Sequence, residues 1–228
     1  MSRKTQNKSV NAKKRTSRTI LFAAVGVLAL GLVAATVLYQ DDTTQSAQTE
    51  AAARAEALAS THSPTLGDPS AKVHIVEFLD PACETCALFY PMVKQWMTEV
   101  PGEIRLSVRH VAFHTGVDQA VRILEASRKQ DKYWQTLEAL LASQRQWTRN
   151  HTVQPEKIGP AIAGVGLDME QLEIDMNAPE VLRRIEQDKQ DAILLKVSAT
   201  PEYFVNGRQL PSFGRQQLAD LVREELNK

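Results

Sequence analysis

The sequence predicts an α/β domain carried behind one N-terminal membrane span. Two observations point to the domain class: a strand–helix–strand unit opens the folded part and a hairpin followed by a helix closes it, with a helical block between them, which is the layer pattern of an α/β fold. A third, the uncharged run Ile20 to Tyr39, sets that domain apart from its N-terminus.

The first 19 residues carry Arg3, Lys4, Lys8, Lys13, Lys14, Arg15 and Arg18 and no acid. The 20 residues that follow, 20–39, hold no charge and as a helix are long enough to cross a hydrocarbon core of about 30 Å. Positive charge before a span keeps that end in the cytoplasm. The expectation is therefore a basic cytoplasmic tail over 1–19 and an uncleaved single-pass anchor over 20–39 in a bacterial inner membrane. Everything after it then lies in the periplasm or extracytoplasmic space. The span exceeds a usual signal-peptide core, which favours an anchor over a cleaved leader. Residues 40–63 are polar and Ala-, Gln- and Thr-rich without an aromatic residue, and read as a linker with some helix around Glu50 to Ala59. Residues 64–228 have the size of one domain.

The formal charge of the whole chain is zero, but seven of the 27 basic residues precede the span. That leaves 20 basic residues against 27 acids beyond it, a net of −7. An acidic exported domain is a poor partner for nucleic acid.

Within 64–228, Val73, Ile75, Val76, Phe78 and Leu79 form a buried-strand signal that Asp80-Pro81 ends. From Cys83 to Met97 the apolar residues recur at helical spacing. Ile104, Leu106 and Val108 alternate as a second strand. Asp118 to Gln146 has helical periodicity, and Pro155–Gly164, Asp168–Asn177 and Pro179–Lys196 read as further helices, placing a helical insertion at about 115–196. Tyr203–Val205 and Gln209-Leu210 flank Asn206-Gly207, a strong hairpin signal. Gly214 to Lys228 closes the chain as a helix.

Cys83 and Cys86 are the only cysteines, and they fall at the first strand-to-helix junction. Unpaired N–H groups at a helix N-terminus stabilise an anion, and the thiolate is the reactive form of cysteine. Two intervening residues let Cys86 reach back to Cys83. Position on the helix makes Cys83 the attacking thiolate and Cys86 the resolving thiol. The competing reading is a metal-binding or metal-delivery module, because His110 and His114 complete a zinc-like donor set. The 23 residues between the two halves hold a helix and a strand, which a small zinc module does not accommodate. A third reading is a non-catalytic client-docking protein on the same fold.

Taken together, the Gly67-Asp68-Pro69 lead-in, the strand through Phe78, the Cys83/Cys86 junction, Pro91 in the helix and Thr200-Pro201 before Tyr203-Phe204-Val205-Asn206-Gly207 resemble the DsbA-like thiol–disulfide oxidoreductases of the thioredoxin superfamily. Lys132-Tyr133-Trp134 and Leu140-Leu141-Ala142-Ser143-Gln144 fit the same resemblance, which covers about 64–226. It implies a thioredoxin fold with an inserted helical subdomain, an exposed Cys83, a cis Pro201 and a buried acid at Glu77 that exchanges a proton with Cys86. It implies exported client proteins with cysteines, a membrane redox partner that recycles the pair, and neither metal nor organic cofactor. Glu84 and Thr85 between the cysteines and Thr200 before the proline are the tuning positions. Glu84 is expected to raise the Cys83 pKa by like charge, and Thr200 resembles less oxidising members. Both point toward a protein less oxidising than the strongest of the family.

Overall fold

A computed structural model describes residues 45–59 and 61–228. The basic tail, the span at 20–39 and the first residues of the linker lie outside the described residues. Among the described residues no helix is long and apolar enough to cross a membrane.

The chain enters through helical residues 45–59, called α1. The short strand β1 (Thr65–Leu66) is followed by β2 (Val73–Leu79), α2 (Glu84–Glu99) and β3 (Ile104–His110). The helical insertion contains α3 (Asp118–Ser127), α4 (Tyr133–Ala142), α5 (Gln144–Trp147), a two-stranded ribbon of β4 (Thr148–Arg149) and β5 (Thr152–Val153), α6 (Pro155–Ile162), α7 (Met169–Asp175) and α8 (Pro179–Leu194). The chain ends with β6 (Glu202–Val205), β7 (Arg208–Gln209) and α9 (Arg215–Leu226).

The sheet runs β1-β3-β2-β6-β7, with β2 parallel to β3 and antiparallel to β6. The β2–α2–β3 unit makes the parallel pair, since parallel strands need a crossover. Asn206 and Gly207, both at positive φ, turn β6 into β7 as their sequence predicts. This is a mixed sheet with helices on both faces, the thioredoxin fold with its helical insertion between β3 and β6.

Side chains alternate across a strand, so β2 serves two cores. Ile75 and Leu79 join the cluster containing Cys86, Phe89 and Tyr90 of α2 and the apolar residues of the insertion. Val76 and Phe78 face Ala192, Leu195 and Phe204. Ala57 and Leu58 belong to that second cluster, so the C-terminal end of the expected linker is part of the core. The long helical stretch expected over 118–146 is broken. Asp131 adopts φ 54 after a 3-10 turn, and the chain restarts as α4 at Tyr133. The ribbon β4–β5 and the edge strand β1 had no periodicity to announce them, being two residues per strand.

Candidate active site

The site is built where β2 passes into α2. Asp80 leaves the strand, its carbonyl accepts the Cys83 N–H at 2.9 Å, and Cys83 becomes the N-cap of α2. No side chain caps this helix, so its first-turn N–H groups are left to the cysteine sulfur. Pro91 lies inside α2, where it has no N–H to offer the preceding turn.

Cys83 and Cys86 are free thiols in this structure. Cys83 is 7% exposed and Cys86 is fully buried. Cys83 is the outer of the two, as the resemblance implies, but it is far less open than an exposed nucleophile: Ala82 and Pro201 beside it are themselves buried, and its thiol donates to the Thr200 carbonyl at 3.3 Å. Hydrogen bonding from the Cys86 thiol holds the Cys83 pKa down to about 5 from an ordinary 9.0. The Thr200 side chain and the backbone N–H groups of Cys86 and Thr85 add to this, while burial opposes it. Burial, together with the Cys83 hydrogen bond and the Glu77 charge, pushes Cys86 well above the usual thiol range. The pair is thus polarised into one ready thiolate and one reluctant thiol.

The tuning positions divide. Thr200 and the Thr85 N–H act on the sulfur directly. Glu84 is exposed on the first turn, where water screens its carboxylate, whereas the donors that lower the Cys83 pKa most lie in direct contact with the sulfur.

The Thr200–Pro201 peptide bond is cis, in the loop that contacts Cys83. Glu77 lies on the central strand β2, fully buried, on the same strand face as Ile75 and Leu79 and so toward α2. Tyr203 Oη donates to its Oε1 at 2.9 Å, and its Oε2 has no hydrogen-bond partner among the described residues. Burial raises the Glu77 pKa to about 8 from an ordinary 4.5, the Tyr203 bond opposing and the Cys83 charge adding. Cys83, Cys86, Thr200, Pro201 and Glu77 therefore gather at one end of the sheet.

The histidines do not join them as ligands. The His110 ring bonds Tyr133 Oη at 2.9 Å, and His114 Nδ1 bonds the Asp80 carboxylate at 2.9 Å. Among the described residues no three His, Cys, Asp or Glu side chains converge as metal ligands would.

Sequence reasoning missed three supports of the site. The buried Asp80 carboxylate accepts the N–H groups of Ala82, Phe113 and His114, tying the Cys83 loop to the loop after β3. Tyr203 bonds Glu77. Gln144 Nε2 donates to the carbonyls of both Pro81 and Cys83. The signal for Gln144 was present: it continues the Leu137, Leu140, Leu141 stripe, and a polar residue on an apolar stripe needs a buried partner.

The thioredoxin family model matches residues 59–223. A thioredoxin-like oxidoreductase from Silicibacter pomeroyi DSS-3 superposes with TM-score 0.64 at 31% identity, over 75% of this chain and 96% of that one. A Na(+)/H(+) antiporter, NhaA of Herminiimonas arsenicoxydans, is 31% identical over 144 residues, which is 63% of this chain. The chain spans only 22% of that antiporter's length. The thiol:disulfide interchange protein DsbA of Bordetella parapertussis is 24% identical over 189 residues, 82% of this chain and 85% of that protein. The family match reaches from the docked end of α1 to α9 and contains every residue gathered around Cys83. The chain belongs to the thioredoxin family, and within it is similar to the DsbA thiol:disulfide interchange proteins.

Proposed function

We propose that this protein introduces disulfides into exported client proteins from a position on the outer side of the bacterial inner membrane. The observation that carries the direction is the Cys83 pKa of about 5. A stabilised thiolate favours the reduced form of the pair, so its disulfide is a good oxidant. A client thiolate attacks Cys83 Sγ in the disulfide, a client–Cys83 bond forms, and the Cys83–Cys86 bond breaks with the electron pair leaving on Cys86. Cys86, whose thiol holds its proton strongly, is then protonated, and Glu77 is the neighbouring acid able to supply that proton. A second client thiolate attacks the client sulfur of the mixed disulfide and Cys83 departs as the thiolate. The client gains a disulfide, and the enzyme is left as the dithiol. A membrane redox partner restores the disulfide.

A polypeptide client fits the rim of the site. Leu88 and Phe213 are 60% and 54% exposed, and Phe213 packs on Phe89 with ring centroids 4.9 Å apart. The placement outside the membrane is supported by the seven basic residues before the uncharged run 20–39. The direction is tested by equilibrating the pair against glutathione. A potential between about −180 and −120 mV is expected, and a value near the −270 mV or so of thioredoxin would overturn the oxidase reading.

A further inference from the structure

We propose that Gln144 is a positioning residue through which the helical insertion sets the reactivity of Cys83. Gln144 opens α5, is 4% exposed, and has no part in the thioredoxin core strands. Its one amide nitrogen donates to the Pro81 carbonyl at 2.8 Å and the Cys83 carbonyl at 2.9 Å. From the other side, Asp80 holds the same segment: its carboxylate takes the Ala82 N–H and its carbonyl takes the Cys83 N–H. Gln144, through its side chain, and Asp80, through its carboxylate and its backbone carbonyl, together fix the peptide groups on either side of Ala82 and the Cys83 carbonyl.

The consequence is electrostatic as well as geometric. The Gln144 amide presents the positive end of its dipole to carbonyls that flank the thiolate. Without it, the Cys83 carbonyl keeps only the Ala87 N–H, at 3.2 Å, and the Pro81 carbonyl loses its buried donor. Uncompensated carbonyl oxygens beside a sulfur anion disfavour that anion. The N–H groups of Thr85 and Cys86, which depend on the orientation of the Cys83 peptide, also lose their aim.

The inference rests on Cys83 being the attacking thiolate, and its test needs no client, so failure of the client reading would leave it standing. Full-length protein in detergent, reduced, is compared with Gln144→Met, which keeps the length and removes both donors. Gln144→Glu is the second variant, in case the first does not fold. Leu141→Ala, which removes packing from the same insertion and leaves both Gln144 donors in place, reports on plain destabilisation. The acid constant of Cys83 should fall by about threefold in either Gln144 variant, the range one hydrogen bond commands, so alkylation at pH 5, where about half of the thiol is otherwise ionised, should slow by about twofold. The threefold factor corresponds to a disulfide about 14 mV more reducing. Leu141→Ala should lower the melting temperature and leave both quantities unchanged. Unchanged Cys83 titration in folded Gln144 variants, or an equal change in Leu141→Ala, would overturn the proposal.

Discussion

At the scale of single residues, the site separates two chemically identical thiols by environment alone. Cys83 is the outer, donor-rich sulfur and Cys86 the buried one. Alkylation of the reduced protein should follow a titration centred near pH 5 and mark Cys83 long before Cys86. Cys86→Ser should accumulate client mixed disulfides, because nothing remains to resolve them. Trapping by Cys83→Ser instead would reverse the roles. Glu77 gives a second prediction. Its folded pKa, raised to about 8, stands above the ordinary 4.5, so between these values the native state holds a proton that the unfolded chain has released. That contribution is complete below about 4.5 and is lost as pH rises through about 8. In the reduced protein Cys83 works in the opposite sense, its depressed pKa adding stability above 9.0 that is lost as pH falls through about 5. The oxidised protein removes the Cys83 contribution, but half-buried His74 and buried His110, whose pKa values are lowered by burial, add stability as pH rises toward the ordinary 6.5. The difference between wild type and Glu77→Gln cancels them. Urea unfolding of the oxidised forms should show the wild type losing a few kcal/mol relative to Glu77→Gln from pH 5 to pH 8. Parallel profiles for the two proteins would refute the assignment.

At the scale of elements, β2 and β3 show what the sequence made legible and what it did not. The run Val73 to Leu79 announced a buried strand, and the Cys83 junction, the Asn206-Gly207 turn and the flanking helices followed from local chemistry. Strand β3 was read from the alternation of Ile104, Leu106 and Val108, a pattern that by itself marks only one buried face. In the fold, Ser107 and Arg109 are buried too. Residues 54–59 and α8 cover that second face, and no periodicity within β3 records a cover supplied from distant parts of the chain. Arg109 survives there by pairing: its guanidinium bonds Asp188 and Asp191 of α8 and the Ala57 carbonyl at 2.7 Å, while His62 Nε2 meets Asp188 at 2.8 Å. Arg109→Met strands two carboxylates beneath α8. It should cost about 3–5 kcal/mol, read as a fall in the urea midpoint at constant slope. A cost below about 1 kcal/mol would show the cluster to be dispensable. Two supports of the site, Asp80 and Tyr203, were illegible for the same reason: their partners lie on elements that only the tertiary fold brings near. Gln144 announced by its place on an apolar stripe that it needs a buried partner, but not that the partner is the Cys83 loop.

At the scale of the molecule, the folded body begins before the boundary at 64 that composition implied. Arg54 Nη1 donates to the Leu194 carbonyl at 3.2 Å, and Ala57 and Leu58 fill the second core. A protein starting at Arg54 should therefore be more stable than one starting at Pro64. The difference is about 3 kcal/mol, the sum of burying one leucine and keeping an acceptor for a buried guanidinium. Equal urea midpoints for the two truncations would contradict this. Orientation across the membrane is checked separately. A reporter that fluoresces only in the cytoplasm, joined after Lys228, should stay dark, because the positive charge precedes residues 20–39.

The docking of Arg54, Ala57 and Leu58 onto the end of α8 also has a mechanical meaning. The last turn of α8 leads directly into the loop that carries Thr200 and Pro201, whose carbonyl and side chain touch the reactive sulfur. A pull on the chain from the N-terminal side reaches the body first at Leu194 and Leu195, not at the sheet. The N-terminal segment and the loop over the reactive sulfur thus hang from one strut. Load delivered through the N-terminal side is carried along the same short stretch of backbone that meets Cys83.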